Sequence, residues 1–191
     1  MQHLMTEAAA EMTAVVRAVK PDQLALPTPC TEYDVRTLVN HLIYWSGFFS
    51  EAAAGKQLPP EGAQRDYTDG DWAEIFAEQS GRAAATWAKP GAWEGVSQLA
   101  GTPMPASVVG SLLLAELVLH GWDLAVATGV RPAYSDEVAQ ATLGILRQAA
   151  DQGRAAGIFA EPVPVPVSAP PLDQALGLSG RDPRWKAPLP S

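Results

Sequence analysis

Residues 107–129 read SVVGSLLLAELVLHGWDLAVATG, an almost unbroken apolar run built on Val109, Leu113, Leu114, Leu117, Val118, Leu119, Trp122 and Leu124. The run is too long for a strand and predicts a helix buried on most of its sides. Glu116, His120 and Asp123 interrupt it, and their i, i+4, i+7 spacing sets all three on one stripe of that helix. A carboxylate among leucines is costly unless something pairs with it. A cationic side chain, protonation of Glu116, or a metal ion shared by Glu116 and His120 could each offset the cost.

A metal needs a third ligand, and the chain has two further histidines, His3 and His41. His41 stands in DVRTLVNHLIYWSGFF, residues 34–49, where Val35, Leu38, Val39, Leu42 and Ile43 make a helical apolar stripe that His41 and Trp45 border. It can therefore point into an interior shared with the long helix. His3 lies near a terminus and is left out of the site. Glu116 could instead bridge to Arg17, Arg36 or Arg82, although such a bridge would not explain His120. Asp123 could orient an imidazole from behind or meet a basic side chain near the helix end.

Composition narrows the field. The chain has 191 residues, is 47% hydrophobic and 18% charged, and carries a formal net charge of −8. That composition suits a globular domain with a real core rather than a disordered or membrane protein. The acidic balance leaves no basic patch for a phosphate backbone, which argues against nucleic acid and for a small-molecule ligand. Residues 108–127 are long enough to span a bilayer, but Glu116, His120 and Asp123 would each be costly there. The amphipathic N-terminal segment lacks the order of a signal peptide, and the single Cys30 suits a reducing compartment. A cytoplasmic location is expected.

The remaining elements follow from periodicity and punctuation. A first helix is expected over about 3–19, ended by Lys20-Pro21, and the prolines of Leu26-Pro27-Thr28-Pro29 stiffen the link that follows. Thr31 or Asp34 should cap the second helix, which runs to about Ala54 and stops at Gly55. Residues 56–70 read as a loop of the kind that borders a site. A third helix, about 71–88, should bury Trp72, Ile75, Phe76, Ala83 and Trp87, with a short extended pair expected around 93–99 in the connector to Pro105. Gly129 should stop the long helix and Ser135 should cap a fifth, about 136–156. Residues from about 160 to 191 are proline-rich, with one short helix near 172–178 and Trp185 as an anchor for an extended tail. No composition shift marks a second domain, so 1–191 reads as one.

Three segments, PTPCTEYDVRTLVNHL, AELVLHGWDLAVATG and LGLSGRDPRW, occur in this order with a spacing that resembles the DinB-like superfamily. The branch they are most similar to is the metal-binding domain of mycothiol-dependent maleylpyruvate isomerase and its short uncharacterised relatives. The resemblance implies an all-α, DinB-like four-helix bundle with a divalent metal, usually zinc, held by His41, Glu116 and His120. Nickel, manganese or ferrous iron would suit the same donors. It further implies a low-molecular-weight thiol as cosubstrate, whose thiolate adds to a small electrophile and either stays, as in a transferase, or leaves after bond rotation, as in an isomerase. The isomerase resembled has an extra C-terminal domain for which this chain is too short, so maleylpyruvate itself is not the expected substrate.

A metal-dependent hydrolase and a non-catalytic binding or interaction protein are the rival readings, and exposed apolar faces leave room for a homodimer. Elsewhere the residues suggest structural roles: Asn40 and Tyr44 beside His41, and Trp45 and Trp122 in the core. Cys30 sits in a packed proline corner with no histidine adjacent in sequence.

Overall fold

The structure, a computed structural model, describes residues 1–52, 65–99 and 101–187. Its helices are α1 (Gln2–Ala18), α2 (Val35–Ala52), α3 (Trp72–Trp87), α4 (Ala106–Thr128), α5 (Asp136–Ala155) and α6 (Pro171–Leu178). The fold is all-α apart from one hairpin, in which β1 (Val96–Leu99) pairs antiparallel with β2 (Thr102–Pro105), Val96 facing Pro105 and Leu99 facing Thr102. The expected stop of α2 at Gly55 lies outside the described residues, as does most of the 56–70 loop.

Helices α1 to α4 form the four-helix bundle, with α1 and α2 each packed against both α3 and α4. Their apolar stripes meet in one core that includes Met5, Met12, Leu38, Phe76, Trp87, Leu113 and Leu124, all but closed to solvent. Of the α3 residues expected inside, Phe76, Ala83 and Trp87 are buried, whereas Trp72 and Ile75 are only half-buried against the core edge. A second core lies on the other side of α4, where Ala115, Leu119 and Trp122 meet Leu143 and Leu146 of α5 and Leu176 of α6. Serving two cores explains why α4 is apolar around most of its circumference: 78% of its most apolar window is buried inside the fold.

Local sequence sets the ends of these helices. The Asp34 carboxylate accepts from the Thr37 N–H and caps α2, and Ser135 accepts from the Val138 N–H and caps α5. Gly129 closes α4 in the left-handed conformation, φ 75°. Mid-helix, Gly121 has a packing reason. A Cβ there would stand 1.9 Å from the Tyr134 hydroxyl and 2.7 Å from the Met12 sulfur. Its absence lets Tyr134 donate to the Leu117 carbonyl at 2.7 Å and fasten the segment before α5 to α4.

Past α5 the chain runs without regular structure to α6 and returns to the bundle, with the Val163 N–H donating to the Gly177 carbonyl. After α6, Gly180 turns the backbone at φ 85°, a conformation that side-chain-bearing residues rarely adopt. The Arg181 N–H then donates to the Leu176 carbonyl. That turn aims the Arg181 side chain back at α4, and Trp185 packs between the two cores.

Candidate metal centre

His41 from the middle of α2 and Glu116 and His120 from successive turns of α4 converge. One donor atom from each lies within 4.8 Å of the other two. The Glu116 Oε2 atom stands 3.2 Å from His41 Nε2 and 3.5 Å from His120 Nε2. Bonds of about 2.0–2.2 Å around a tetrahedral ion separate ligand atoms by roughly 3.3–3.6 Å, so these donors fit one divalent cation without large rearrangement. None of the three arginines considered as partners reaches Glu116. Arg17 pairs with Glu74, Arg36 with Asp66 and Arg82 with Glu78.

Behind His120 lies a second, closed network. Asp123 is fully buried, and its Oδ2 atom is 2.9 Å from His120 Nδ1. Arg181 grips the same carboxylate with both faces of its fork, Nε to Oδ1 at 2.8 Å and Nη2 to Oδ2 at 2.7 Å, while Nη1 donates to the Ser179 hydroxyl. Asp123 thus contacts both an imidazole and a base, the two kinds of partner considered for it from the sequence. Burial pushes the Asp123 carboxyl up, but the Arg181 charge and the bonds from His120 and Arg181 outweigh it and hold it below the ordinary aspartate value.

The network orients His120. An ionised carboxylate only accepts, so Nδ1 carries the proton that it donates to Asp123. The longer Arg181 Nη2 approach to Nδ1, 3.4 Å, is secondary to that group's shorter bond to Asp123. The other ring nitrogen, Nε2, stands 3.5 Å from the Glu116 carboxylate.

Glu116 itself is 29% exposed, and its other neighbour is the His41 ring. Burial raises its carboxyl pKa, and the nearby His120 and His41 more than reverse that shift, leaving it below the ordinary value. Among the described residues it meets no lysine or arginine within 4.0 Å.

A cavity of about 370 Å³ opens over His41, walled by Tyr33, Tyr44, Trp45, Asn40 and Arg65. Tyr33 overlies both imidazoles, with ring centroids 5.0 Å from His41 and 6.3 Å from His120. Burial raises its hydroxyl pKa. Trp122 belongs to the second core, as expected, whereas Trp45 faces the cavity as well as the core edge. Asn40 has a definite task. It donates to Asp66 at 3.0 Å and accepts from the Tyr67 N–H at 2.7 Å, clamping residues 66–67 to α2 beside His41.

Arg181 escaped the sequence reading, and Cys30 entered it only as part of a packed corner. Arg181 lies 58 positions beyond Asp123, so no spacing rule joins them, although its segment was among the three that carried the resemblance. Cys30 has no histidine beside it in sequence, yet its sulfur comes within 4.8 Å of a His120 ring nitrogen and an Asp123 oxygen. Burial first, then the Asp123 charge, raises its pKa and favours the neutral thiol. His3 stays at the surface, 3.1 Å from Glu137.

Known proteins place this arrangement in a family. Two crystal structures of mycothiol-dependent maleylpyruvate isomerase, one of them a point mutant, share the DinB-like helical fold, with TM-scores of 0.60 for the mutant and 0.56. They are 14% and 15% identical to this chain, each match covering 80% of it and 70% of the enzyme. Uncharacterized proteins from two strains of Mycobacterium tuberculosis are 31% identical over 172 residues, 88% of this chain and 90% of theirs. The model of the mycothiol maleylpyruvate isomerase N-terminal domain matches residues 5–125, which include His41, Glu116, His120 and Asp123, and the chain belongs to that family.

Proposed function

We propose that this protein binds one divalent metal ion, zinc first among the candidates, through His41, Glu116 and His120, and acts as a thiol-dependent transferase or isomerase on a small electrophile. The observation that carries the reading is the convergence of His41, Glu116 and His120, whose donor atoms lie within 4.8 Å of one another. With Nδ1 turned to Asp123, Nε2 of His120 faces the Glu116 carboxylate, which also meets His41 at 3.2 Å. Two imidazoles and a carboxylate leave coordination positions open, as in catalytic rather than structural sites. A bound ion would supply Lewis acidity, lowering the pKa of a coordinated thiol or polarising a carbonyl.

The chain's own residues do the rest. Asp123, anchored by Arg181, holds His120 in one orientation. Tyr33 covers both imidazoles and limits the approach of water, and its raised pKa keeps the hydroxyl protonated as a hydrogen-bond donor toward a substrate oxygen. The cavity over His41 admits a molecule of a few hundred cubic ångströms at most. Membership of the mycothiol maleylpyruvate isomerase family makes mycothiol the first thiol to test. The tail belongs to the same functional unit, because Arg181 completes the support of His120. A cytoplasmic location, where such thiols stay reduced, completes the proposal.

The test is metal analysis of protein purified without a polyhistidine tag, alongside His41→Ala and Glu116→Ala. One equivalent of metal in the wild type and a small fraction of that in each variant is the expected result. Equal, substoichiometric metal in all three would end the reading. Loaded protein is then assayed for loss of free mycothiol against a panel of unsaturated acids and epoxides. Product formed without any thiol would shift the assignment to hydrolysis.

A further inference from the structure

The Asp123 carboxylate belongs to the bundle and its cation to the tail, 58 residues further on. Arg181 spans both Asp123 oxygens, its Nη1 atom reaches the Ser179 hydroxyl at 3.1 Å, and its Nη2 atom comes to 3.4 Å from His120 Nδ1. Asp123 stands nearer to the same ring nitrogen, at 2.9 Å. The pair is neutral as a whole and turns its negative end toward His120.

Two kinds of force hold the tail, at two places. Helix α6 is seated by apolar burial, with Ala175 and Leu176 closed to solvent in the second core. The segment after it, residues 179–185, is fastened by the Arg181 fork and the partly buried Trp185 ring. Lifting that segment would strand a buried carboxylate, so Arg181 and Asp123 lock or part as a unit. Helix α6 keeps its own apolar seat in either case.

We propose that residues 179–185 form a latch coupled to the metal centre: docking of Arg181 on Asp123 fixes the His120 ring for the ion, and an ion on His120 tightens the docking. The inference deepens the functional reading and rests on its metal site. Arg181 is then a positioning residue, acting on the ion only through Asp123 and His120. The first half of the coupling is a matter of order. An imidazole pinned at Nδ1 gives up its rotational freedom in advance, with Nε2 already on the Glu116 side. The second half is a matter of charge. A cation at Nε2 makes the ring more positive, and the negative end of the Asp123–Arg181 pair lies against its opposite edge. Coupling between two equilibria is reciprocal, so one factor describes both effects.

The experiment makes two measurements on the full, untagged chain. Zinc affinity is read by competition with a chromophoric chelator for wild type, Arg181→Lys and Arg181→Ala. Hydrogen exchange is followed in wild type, with and without zinc, at the Arg181 and Trp185 amides, which donate to the Leu176 and Asp182 carbonyls. Arg181→Ala should bind zinc about tenfold more weakly or worse, the usual cost of removing the support behind a ligating histidine. Arg181→Lys should fall between the two, since it keeps the charge and loses the fork. Saturating zinc should slow exchange of both tail amides by about the factor that Arg181→Ala loses in affinity, and the slowing should level off as zinc is raised further. A tail that opened only with the whole fold would instead gain protection in proportion to free zinc.

A folded Arg181→Ala with zinc affinity within about twofold of wild type would overturn the proposal. Tail exchange that ignores zinc, or protection that never levels off, would do the same. If Arg181→Ala does not fold, exchange in the wild type decides the matter alone. Wild type that binds no zinc would remove the metal reading and the latch together, whereas zinc bound without these effects would remove the latch and leave the metal centre standing.

Discussion

Glu116 and Asp123 lie on one stripe of α4, each beside His120, and the fold treats them differently. Asp123 is sealed from solvent and has its cation inside the protein, with Arg181 gripping both oxygens. Glu116 is partly open and faces two imidazoles. The closed side is balanced and needs nothing further. The open side is an incomplete constellation, and the comparison teaches that the incompleteness, not the burial of charge, marks the candidate site.

The largest effect should come from breaking the closed side. Arg181→Ala leaves Asp123 buried and unpaired, and a loss of about 3–5 kcal/mol in denaturant unfolding is expected. The double variant Arg181→Met with Asp123→Leu should recover most of it. If the single variant unfolds like wild type, the two carboxylates are not as different as the geometry says. Next in size is the metal itself. Adding zinc to chelator-treated protein at a free concentration a hundred times its Kd should stabilise it by about 2.7 kcal/mol, measurable as a rise in Tm. Glu116→Gln should abolish that rise.

A smaller effect concerns the clamp beside His41. Asn40→Ala removes two hydrogen bonds at a half-exposed position and should cost about 1 kcal/mol. It should also raise the Asp66 pKa toward the ordinary value, read by carbon-13 NMR of the carboxyl. The sign follows from linkage. Hydrogen bonds from Thr68 and Asn40, with Arg36, depress the folded-state pKa of Asp66. Its contribution is therefore complete above the unfolded value of about 3.9 and is lost as pH falls below it, through the folded-state value. In Asn40→Ala that loss should begin at higher pH. Smallest of all is Glu116→Gln in metal-free protein, which should change stability by no more than about 1 kcal/mol, since among the described residues the carboxylate meets no lysine or arginine within 4.0 Å. A large destabilisation there would make Glu116 a structural ion-pair residue and remove the contrast with Asp123.

Much of this was legible before any coordinates. Apolar periodicity located α1 to α5 to within a few residues, because each helix must bury a stripe or, for α4, most of its circumference. His41, Glu116 and His120 were selected from spacing and from the cost of polar groups in an apolar run, and the fold brings them together. Trp45 shows where the same rules mislead. Periodicity sends it inward, but the end of a stripe is also the edge of a cavity, and one-dimensional pattern does not separate the two.

The sequence by itself determined which segments are helical, which faces are apolar, and that a polar stripe on the central helix required an explanation. These are local consequences of side-chain period and transfer free energy. Tertiary structure alone decided which partner each polar group found. Arg181 reaches Asp123 from a tail 58 residues away, and Arg65 lines the cavity over His41. Such meetings depend on where turns such as that at Gly180 aim the chain, and on whether each charge is already balanced when it arrives. Composition and spacing do not encode that balance, which is a sum over neighbours assembled only by folding.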